Sequence, residues 1–438
     1  MIRNRLRQSG NPDQAAAAAG AARPARNHDV DALRGFALLG IFIVNIRFMA
    51  SGYAGNLIDD PAYSSALQDL VRGVTTVLVD MKFYLLFSFL FGYSFTLQMS
   101  AAQRAGAAFR PRMLRRIAGL FVLGALHTVL LYSGDVLTTY AVVCLVLLAM
   151  HRVRDRTALR VALWMYGLVL LSLLASGLLA PGAMLDSPAE ALANAQHQTQ
   201  ALLGGFGDIV GEHLDGLGLL VLQAVTLQGP TALAMFLLGM VAGRRGLLDR
   251  VRGDEPLLRR IQWIGFPVGL AGAVLYTVGG GDGNALPVAA SVATAPALMA
   301  AYVATLLRLM HNPRTAWVRS ALAPAGRIAL TNYLGQSLIG LLIFTGIGLG
   351  MAGAVSPLGT TALALAVFAL QLGLSAWWLR KHRYGPAEWA LRWATNARRP
   401  AWRSRGPASG GATAPAGGLT APAGGPAGPA GAAGAGER

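Results

Sequence analysis

The most regular feature of the chain is a series of long apolar segments separated by short polar connections. A helix needs roughly 20 residues to cross a hydrocarbon core of about 30 Å, and the segments approach or reach that length. The pattern predicts an all-α, polytopic membrane bundle of about ten transmembrane helices. The predicted spans are 33–51, 82–100, 113–132, 136–150, 159–180, 217–243, 261–279, 285–307, 328–350 and 359–379.

Two of these spans depart from the simple pattern. The segment 136–150 is barely long enough to cross a bilayer. The segment 217–243 contains Gln223, Gln228 and Pro230, and proline inside a helix kinks or breaks it. We therefore expect this span to be kinked or to be preceded by a segment at the membrane surface.

The two ends of the chain differ from its middle in composition. Residues 1–27 form a polar arm, and residues 396–438 lead into a tail dominated by Gly, Ala and Pro. Neither end can bury a hydrophobic core, so both are expected to be disordered. This leaves 28–395 as a single transmembrane domain.

Charge is sparse and asymmetrically placed. Charged residues make up 13% of the chain, against roughly 25% in soluble proteins. All of the 37 Lys and Arg except Arg47, Arg72 and Lys82 lie at the N-terminus, in even-numbered connections or after the last span. This positive-inside pattern predicts a multi-pass membrane protein with both termini in the cytoplasm. It also accounts for the net charge of +17 without a nucleic-acid partner. The excess of Arg over Lys and the heavy use of Ala and Gly indicate a bacterial source.

Few residues of the chain indicate a metal or disulfide site. Cys144 is the single cysteine, which excludes an intrachain disulfide and a cysteine-cluster metal site. In the predicted outer connection 181–216, Asp208, Glu212 and Asp215 are spaced at i, i+4 and i+7. The spacing allows a cation or substrate site but is more typical of the polar face of an interfacial helix. We therefore expect no resident metal.

The first span carries a polar stripe. Asp31, Arg34 and Asn45 fall on one side of a helix, because Arg34 and Asn45 are eleven residues, about three turns, apart. Arg34 is interpretable as a cytoplasmic anchor that snorkels to the headgroups. Alternatively, Asp31 orients it and the stripe lines a functional passage, with Asn45 about 16 Å farther along the axis.

The third span repeats this spacing. Arg116 and His127 are again eleven residues apart and share a helix face, and Asp135 follows after a short turn. A single histidine in a span is often a hydrogen-bonded packing residue. A carboxylate within reach can instead hold the ring in one tautomer and make it a general base. We expect Asp135 to approach His127.

Two further groups of polar side chains lie in predicted spans. Lys82 begins the second span on the outer side, where it either snorkels to the surface or adds a positive charge to the His127–Asp135 cluster. In the ninth span, Asn332 and Gln336 are at i and i+4, with Tyr333 beside them. Interhelical hydrogen bonds explain these residues without catalysis, and a substrate contact is the alternative.

Six ordered motifs give the chain a family resemblance. They are LRGFALLGIFIVNI, KFYLLFSFLFGYSF, RR…LGALH…GDVLTTYA, MFLLGMVAGRRG, GRIALTNYLGQSLI and GPAEWALR. Across about 28–395 the sequence resembles the YeiB-like bacterial inner-membrane proteins, known as domain of unknown function 418. That family is distantly similar to transmembrane acyltransferases, including the type-three enzymes.

The resemblance implies a reaction and a set of roles. Those enzymes move an acyl group from cytoplasmic acyl-CoA to an acceptor on the far side of the membrane. Type-three enzymes have a histidine eleven residues after the Arg of an LRG-type start. Here that position is Asn45, which cannot be a general base, so His127 oriented by Asp135 would take the proton. Asn45 or Lys82 would then stabilise the oxyanion.

The donor site follows from the same resemblance. Arg34, held by Asp31 and accompanied by Arg116, would meet the phosphates of acyl-CoA at the cytoplasmic end. No nucleophilic Ser or Cys is required in this scheme. We therefore expect a membrane-bound acyltransferase whose partners are the lipid bilayer, acyl-CoA and a cell-envelope acceptor. The alternative is a transporter or flippase that uses the same buried polar residues for a small solute or lipid.

Overall fold

The computed structural model describes residues 27–179 and 187–403, and every regular element in these ranges is helical. Apolar runs of helical length, most of them ended by Gly, Pro or polar capping residues, account for this architecture. The α-helices are α1 His28–Ala50, α2 Ala66–Val79, α3 Lys82–Arg104, α4 Phe109–Leu130, α5 Leu137–Ala149, α6 Asp155–Leu179, α7 Pro188–Leu203, α8 Phe206–Asp215, α9 Leu217–Gln223, α10 Gly229–Arg244, α11 Leu247–Val251, α12 Glu255–Val278, α13 Ala285–His311, α14 Trp317–Arg327, α15 Ala329–Phe344, α16 Pro357–Lys381 and α17 Pro386–Asn396.

The helices are those of a polytopic membrane protein. Among the described residues, eight helices are long and apolar enough to cross a bilayer, or nine if the pair α14 and α15, bent by 77°, is one span. The predicted span 136–150 forms only the 13 residues of α5, about 20 Å of helix. The number of ten spans and the cytoplasmic location of both termini stay predictions.

The predicted disturbance within 217–243 is present. The segment divides into α9, a π-helical turn at Ala224–Gln228, and α10, with Pro230 in the first turn of α10. A π-helical turn adds a residue to the local hydrogen-bond ring and reorients the side chains on either side. The irregularity is therefore a local change of helix type placed directly before the proline.

The first helix lies in the interior of the bundle and packs very closely on α14. A methyl group added to Gly326 would collide with the backbone carbonyl of Asp31, and one added to Gly35 would collide with the carbonyl of Leu322. Small residues allow membrane helices to approach at backbone distance. This approach brings α14 beside the Asp31–Arg34 end of α1.

The chain ends were predicted to be disordered, and 1–26 and 404–438 lie outside the described residues. The first part of the predicted tail is described and packs on the domain. The backbone carbonyl of Trp402 accepts a hydrogen bond from the amide of Arg383 at 3.1 Å, and its ring contacts Trp378 and Trp389. Residues up to 403 therefore continue the fold beyond α17.

The predicted outer connection contains two helices, α7 and α8, and the acidic cluster lies on α8. Asp208 accepts a hydrogen bond from the backbone amide of Gly205 at 2.8 Å and caps α8. Carboxylates are favoured at this position because the first amides of a helix have no internal partner. The contact supports the interpretation of this cluster as part of a surface helix.

Candidate functional site

The site is centred on His127, close to the C-terminal end of α4. The turn after α4 is short, so Asp135 returns beside it, and Nδ1 of His127 lies 2.9 Å from Oδ1 of Asp135. Both side chains are completely buried. The ring N–H does not point straight at this oxygen, so the pair is in close polar contact rather than in an aligned hydrogen bond. The predicted approach of Asp135 to His127 is present.

Asp135 is held in place from its other side. Its Oδ2 accepts hydrogen bonds from the backbone amide of Thr138 at 2.8 Å and from the Thr138 hydroxyl at 3.0 Å. The carboxylate thereby satisfies an amide at the start of α5. A methyl group on Gly124 would press against Asp135 and Thr138, so glycine at this position of α4 permits the approach. The carboxylate that faces His127 is fixed by local capping.

The second ring nitrogen of His127 contacts a residue that the sequence interpretation did not include. Its Nε2 lies 2.8 Å from Oγ of Ser337 on α15, and this serine is buried. Tyr333, one turn earlier on α15, stacks at an angle over the ring with 5.0 Å between centroids. The Tyr333 hydroxyl is 3.5 Å from Oδ1 of Asp135. Four polar residues from α4, α15 and the turn between α4 and α5 therefore meet inside the bundle.

The order of contacts is hydroxyl, imidazole, carboxylate. In this arrangement a carboxylate favours the tautomer that carries its proton on Nδ1, which leaves Nε2 free to accept a proton from the hydroxyl. The same order occurs in nucleophilic catalysis on unrelated folds. The site can therefore move a proton to and from an oxygen atom in a region closed to water.

The other polar residues of α15 face a different helix. Asn332 donates to Oγ of Ser375 at 2.9 Å, and Gln336 donates to Oε1 of Gln371 at 2.8 Å. Gln371 in turn donates to the backbone carbonyl of Asn332 at 3.0 Å. These contacts join α15 to α16, as expected for interhelical hydrogen bonds. Of the three residues predicted in this span, only Tyr333 contacts His127.

The position of Lys82 differs from the predicted cluster. Lys82 is buried, and its Nζ donates to the backbone carbonyl of Thr76 at 3.2 Å, at the C-terminal end of α2. The last carbonyls of a helix attract a cation because they carry partial negative charge. None of the hydrogen bonds or ion pairs described for Lys82 joins it to His127 or Asp135. The predicted addition of its charge to their cluster is therefore not found in the part of the chain that the structure describes.

A second polar region lies at the start of α1. Arg34 forms an ion pair with Asp31 at 2.8 Å and donates to the Ser94 hydroxyl. Asp31 lines a cavity of ≈ 350 Å³ between α1, α14 and α16. The charged or titratable side chains that line it are His28, Asp31, Arg319 and Arg327. Arg319 and Arg327 bring guanidinium groups to this lining, and such groups suit an anionic ligand.

Arg116 extends this basic region on α4. It is half-buried, and its Nε is buried without a hydrogen bond. Its charge interacts with those of Arg34, Arg392 and Glu388. A guanidinium with an unused donor can bind an anion. Asn45, the remaining member of the first stripe, is half-buried in α1, and its side chain makes none of the hydrogen bonds that the structure describes.

Glu388 links the basic region to the helix that carries Ser337. Its Oε1 accepts hydrogen bonds from the backbone amides of Leu330 at 2.7 Å and Thr331 at 3.1 Å, at the N-terminal end of α15. Burial raises the pKa of this carboxyl, while its hydrogen bonds to Thr331 oppose the shift. Glu388, on α17, therefore caps α15.

Comparison with known proteins covers most of the chain. A family model described as "Protein of unknown function (DUF418)" matches residues 242–398, which include α15 and its Ser337. YxaH of Bacillus subtilis, described as uncharacterized, is 30% identical over 392 residues, 84% of this chain and 93% of its own length. YeiB of Escherichia coli, also described as uncharacterized, is 26% identical over 403 residues, 84% of this chain and 96% of its own.

A third relative extends the same pattern. The 39.9 kDa protein encoded in the 3' region of an amylase gene of Bacillus acidopullulyticus is 26% identical over 387 residues, 84% of this chain and 94% of its own. These alignments run far beyond the segment that the family model matches, so they also cover the helices of the N-terminal half. The resemblance predicted from six motifs is thus confirmed, and the protein belongs to the DUF418 family together with YxaH and YeiB.

Proposed function

We propose that the protein is an acyltransferase of the bacterial inner membrane. It moves an acyl group from cytoplasmic acyl-CoA to a hydroxyl or amine of a cell-envelope acceptor, with both termini in the cytoplasm. The observation that carries this proposal is His127, completely buried between Asp135 and Ser337. Ionisable groups inside a membrane bundle are costly and are by default functional.

The chemistry assigned to His127 is that of a general base. Asp135 keeps the Nδ1 proton on its side of the ring and stabilises the positive charge that develops as Nε2 takes a proton. A buried site strengthens both effects because the local dielectric is low and water is excluded. Of the two residues predicted to stabilise the oxyanion, Asn45 and Lys82, we assign this role to Asn45.

The donor would bind at the basic region near the start of α1. Arg34 and Arg116 supply guanidinium groups for the phosphates of CoA. The cavity lined by Asp31 lies beside Arg34 and adds the guanidinium groups of Arg319 and Arg327. Arg116 and His127 lie about 16 Å apart along α4. The extended pantetheine arm of CoA can bridge such a distance and deliver the thioester to the buried histidine.

The first test is binding of the donor. Thermal unfolding of the full-length protein in detergent should shift upward with acyl-CoA, because a ligand that binds only the folded state stabilises it. The shift should disappear in Arg34→Ala and persist in Arg259→Ala, a control in which the arginine is exposed and pairs with Glu255 at the start of α12. Equal shifts in both variants, or none with the unaltered protein, would contradict the proposed donor site.

A transporter or flippase is the second candidate, and two observations favour it. The helical path is interrupted by the π-turn at Ala224–Gln228 and by the 77° bend between α14 and α15. Broken helices are frequent at the binding sites of transporters. Substrate-dependent flux into liposomes without any acyl donor would support this candidate. That flux should fall in His127→Ala, because a transporter would use the same buried polar residues.

A further inference from the structure

We propose that Ser337 accepts the acyl group itself, so that the reaction passes through an ester on this serine. This inference rests on the proposed function and deepens it. Oγ of Ser337 is 2.8 Å from Nε2 of His127, and the opposite ring nitrogen is 2.9 Å from Asp135. A hydroxyl, a base and an orienting carboxylate in this order form an activated nucleophile.

The direction of the Ser337 hydroxyl supports this role. Helical Ser and Thr residues commonly bond back to the carbonyl four residues earlier, as Thr128 does at 2.9 Å and Thr345 at 2.7 Å. Ser337 lies 3.5 Å from the corresponding carbonyl of Tyr333. Its hydrogen bond to its own helix is therefore long, and its shorter contact is with His127 at 2.8 Å.

The tautomer of a neutral His127 follows from the Asp135 contact. If the proton were on Nε2, Nδ1 would carry a lone pair only 2.9 Å from a carboxylate oxygen, and the two negative atoms would repel. With the proton on Nδ1, the same contact is attractive, and Nε2 accepts a hydrogen bond from Ser337. The geometry thus makes Ser337 the donor of a proton to His127, as a nucleophile must be.

The reaction then has two balanced steps. Oγ of Ser337 attacks the thioester carbonyl, its proton passes to Nε2 of His127, the C–S bond breaks, and the proton goes to the departing sulfur to give free CoA. In the second step the acceptor hydroxyl or amine attacks the serine ester and gives its proton to His127. The Oγ–acyl bond breaks, and the proton returns to Oγ.

An acyl-serine intermediate fits a site between two compartments. The donor would reach Ser337 from the basic region, and the acceptor would arrive after CoA has left, so the two need never be bound together. Ser337, His127 and Asp135 are all at most 1% exposed, which protects an ester from hydrolysis by water. Asp135 acts here as a positioning residue, and Ser337 and His127 are the catalytic residues.

The intermediate can be tested without knowledge of the acceptor. Full-length protein in detergent is incubated with acetyl-CoA or octanoyl-CoA, and intact-protein and peptide mass spectrometry follow the adduct. We expect one acyl group on the peptide that contains Ser337, with release of one CoA per protein. The adduct should survive neutral hydroxylamine and be removed by alkaline hydroxylamine, as an oxygen ester is.

Three variants test whether Ser337 acts as the nucleophile or only packs in the site. Ser337→Ala should abolish the adduct, whereas Ser291→Ala, which alters a buried serine without a hydrogen-bond partner on α13, should retain it. Ser337→Cys should form a thioester that neutral hydroxylamine removes, which also shows that a changed residue 337 leaves the protein folded.

The possible results distinguish this inference from the proposed function. Acyl-CoA that raises the unfolding temperature but leaves no adduct, or an adduct that persists in Ser337→Ala, would overturn the serine intermediate and leave the acyltransferase proposal in place. Failure of both acyl-CoAs to bind would overturn both. An adduct confined to Ser337 would support both.

Discussion

Replacement of Asp135 by asparagine tests the central contact of the site. Asparagine has nearly the same shape and retains one oxygen that can cap α5 through Thr138. It removes the negative charge that lies 2.9 Å from Nδ1 of His127 in a pair of completely buried side chains. The variant therefore changes the electrostatics of the ring with little change in packing.

The magnitude follows from the loss of one charged contact in the transition state. Polar contacts that are poorly aligned without substrate tighten in the reacting complex, and a hydrogen bond to a charged group contributes about 1.5–3 kcal/mol. A change of about 1.4 kcal/mol in the barrier is a tenfold change in rate. The contact gains strength when His127 becomes positive, so its loss raises the barrier. Asp135→Asn should therefore slow formation of the acyl adduct by about 10-fold to 150-fold.

The assay is the rate of CoA release from acetyl-CoA, with thermal unfolding measured in parallel. Asp208→Asn is the matched control, because Asp208 also caps a helix, α8, but at the surface. The control should keep the rate of the unaltered protein. An Asp135→Asn protein that is folded and releases CoA at the unaltered rate would refute the orienting role of Asp135.

Three further predictions concern the surroundings of the site. Lys82→Met should lower the unfolding temperature, because the C-terminal carbonyls of α2 lose their cation. It should change the rate of CoA release by less than about twofold. A loss of rate as large as that of His127→Ala would indicate that Lys82 stabilises the oxyanion. Burial raises the pKa of Glu388 above 4.5, so the folded protein holds this proton more tightly than the unfolded chain and stability falls as the pH rises from 4.5 through the raised pKa. Glu388→Gln should abolish that fall in pH-dependent thermal unfolding, and an unchanged pH profile would contradict it. Gly326→Ala should reduce the free energy of unfolding by about 1–3 kcal/mol, because its methyl group collides with the carbonyl of Asp31; an unchanged unfolding temperature would show that α1 and α14 can separate without cost.

Contacts between residues close in sequence were the part of the site that could be predicted. His127 and Asp135 are eight residues apart across one short turn, so the short connecting chain keeps them near each other. Asp31 and Arg34 are likewise one turn apart and form an ion pair. In both cases the chain itself limits the distance between the partners.

Ser337 was missed because nothing local identifies it. It is 210 residues from His127, and serine in a helix ordinarily satisfies itself on its own backbone. The nearest signal was its position one turn after Tyr333, within the motif TNYLGQS. The partner of Lys82 was missed for a related reason, since it is the C-terminal end of α2, a helix that the apolar pattern did not predict.

The sequence by itself determined that this chain forms membrane-spanning helices, because the length of an apolar run is set by the thickness of the bilayer and needs no knowledge of neighbours. It also determined which residues share a helix face, because the helical period is constant. Only the tertiary structure decided which faces meet. The packing of α15 divides its polar residues between α16 and His127, and side-chain contacts between distant segments depend on how whole helices fit together.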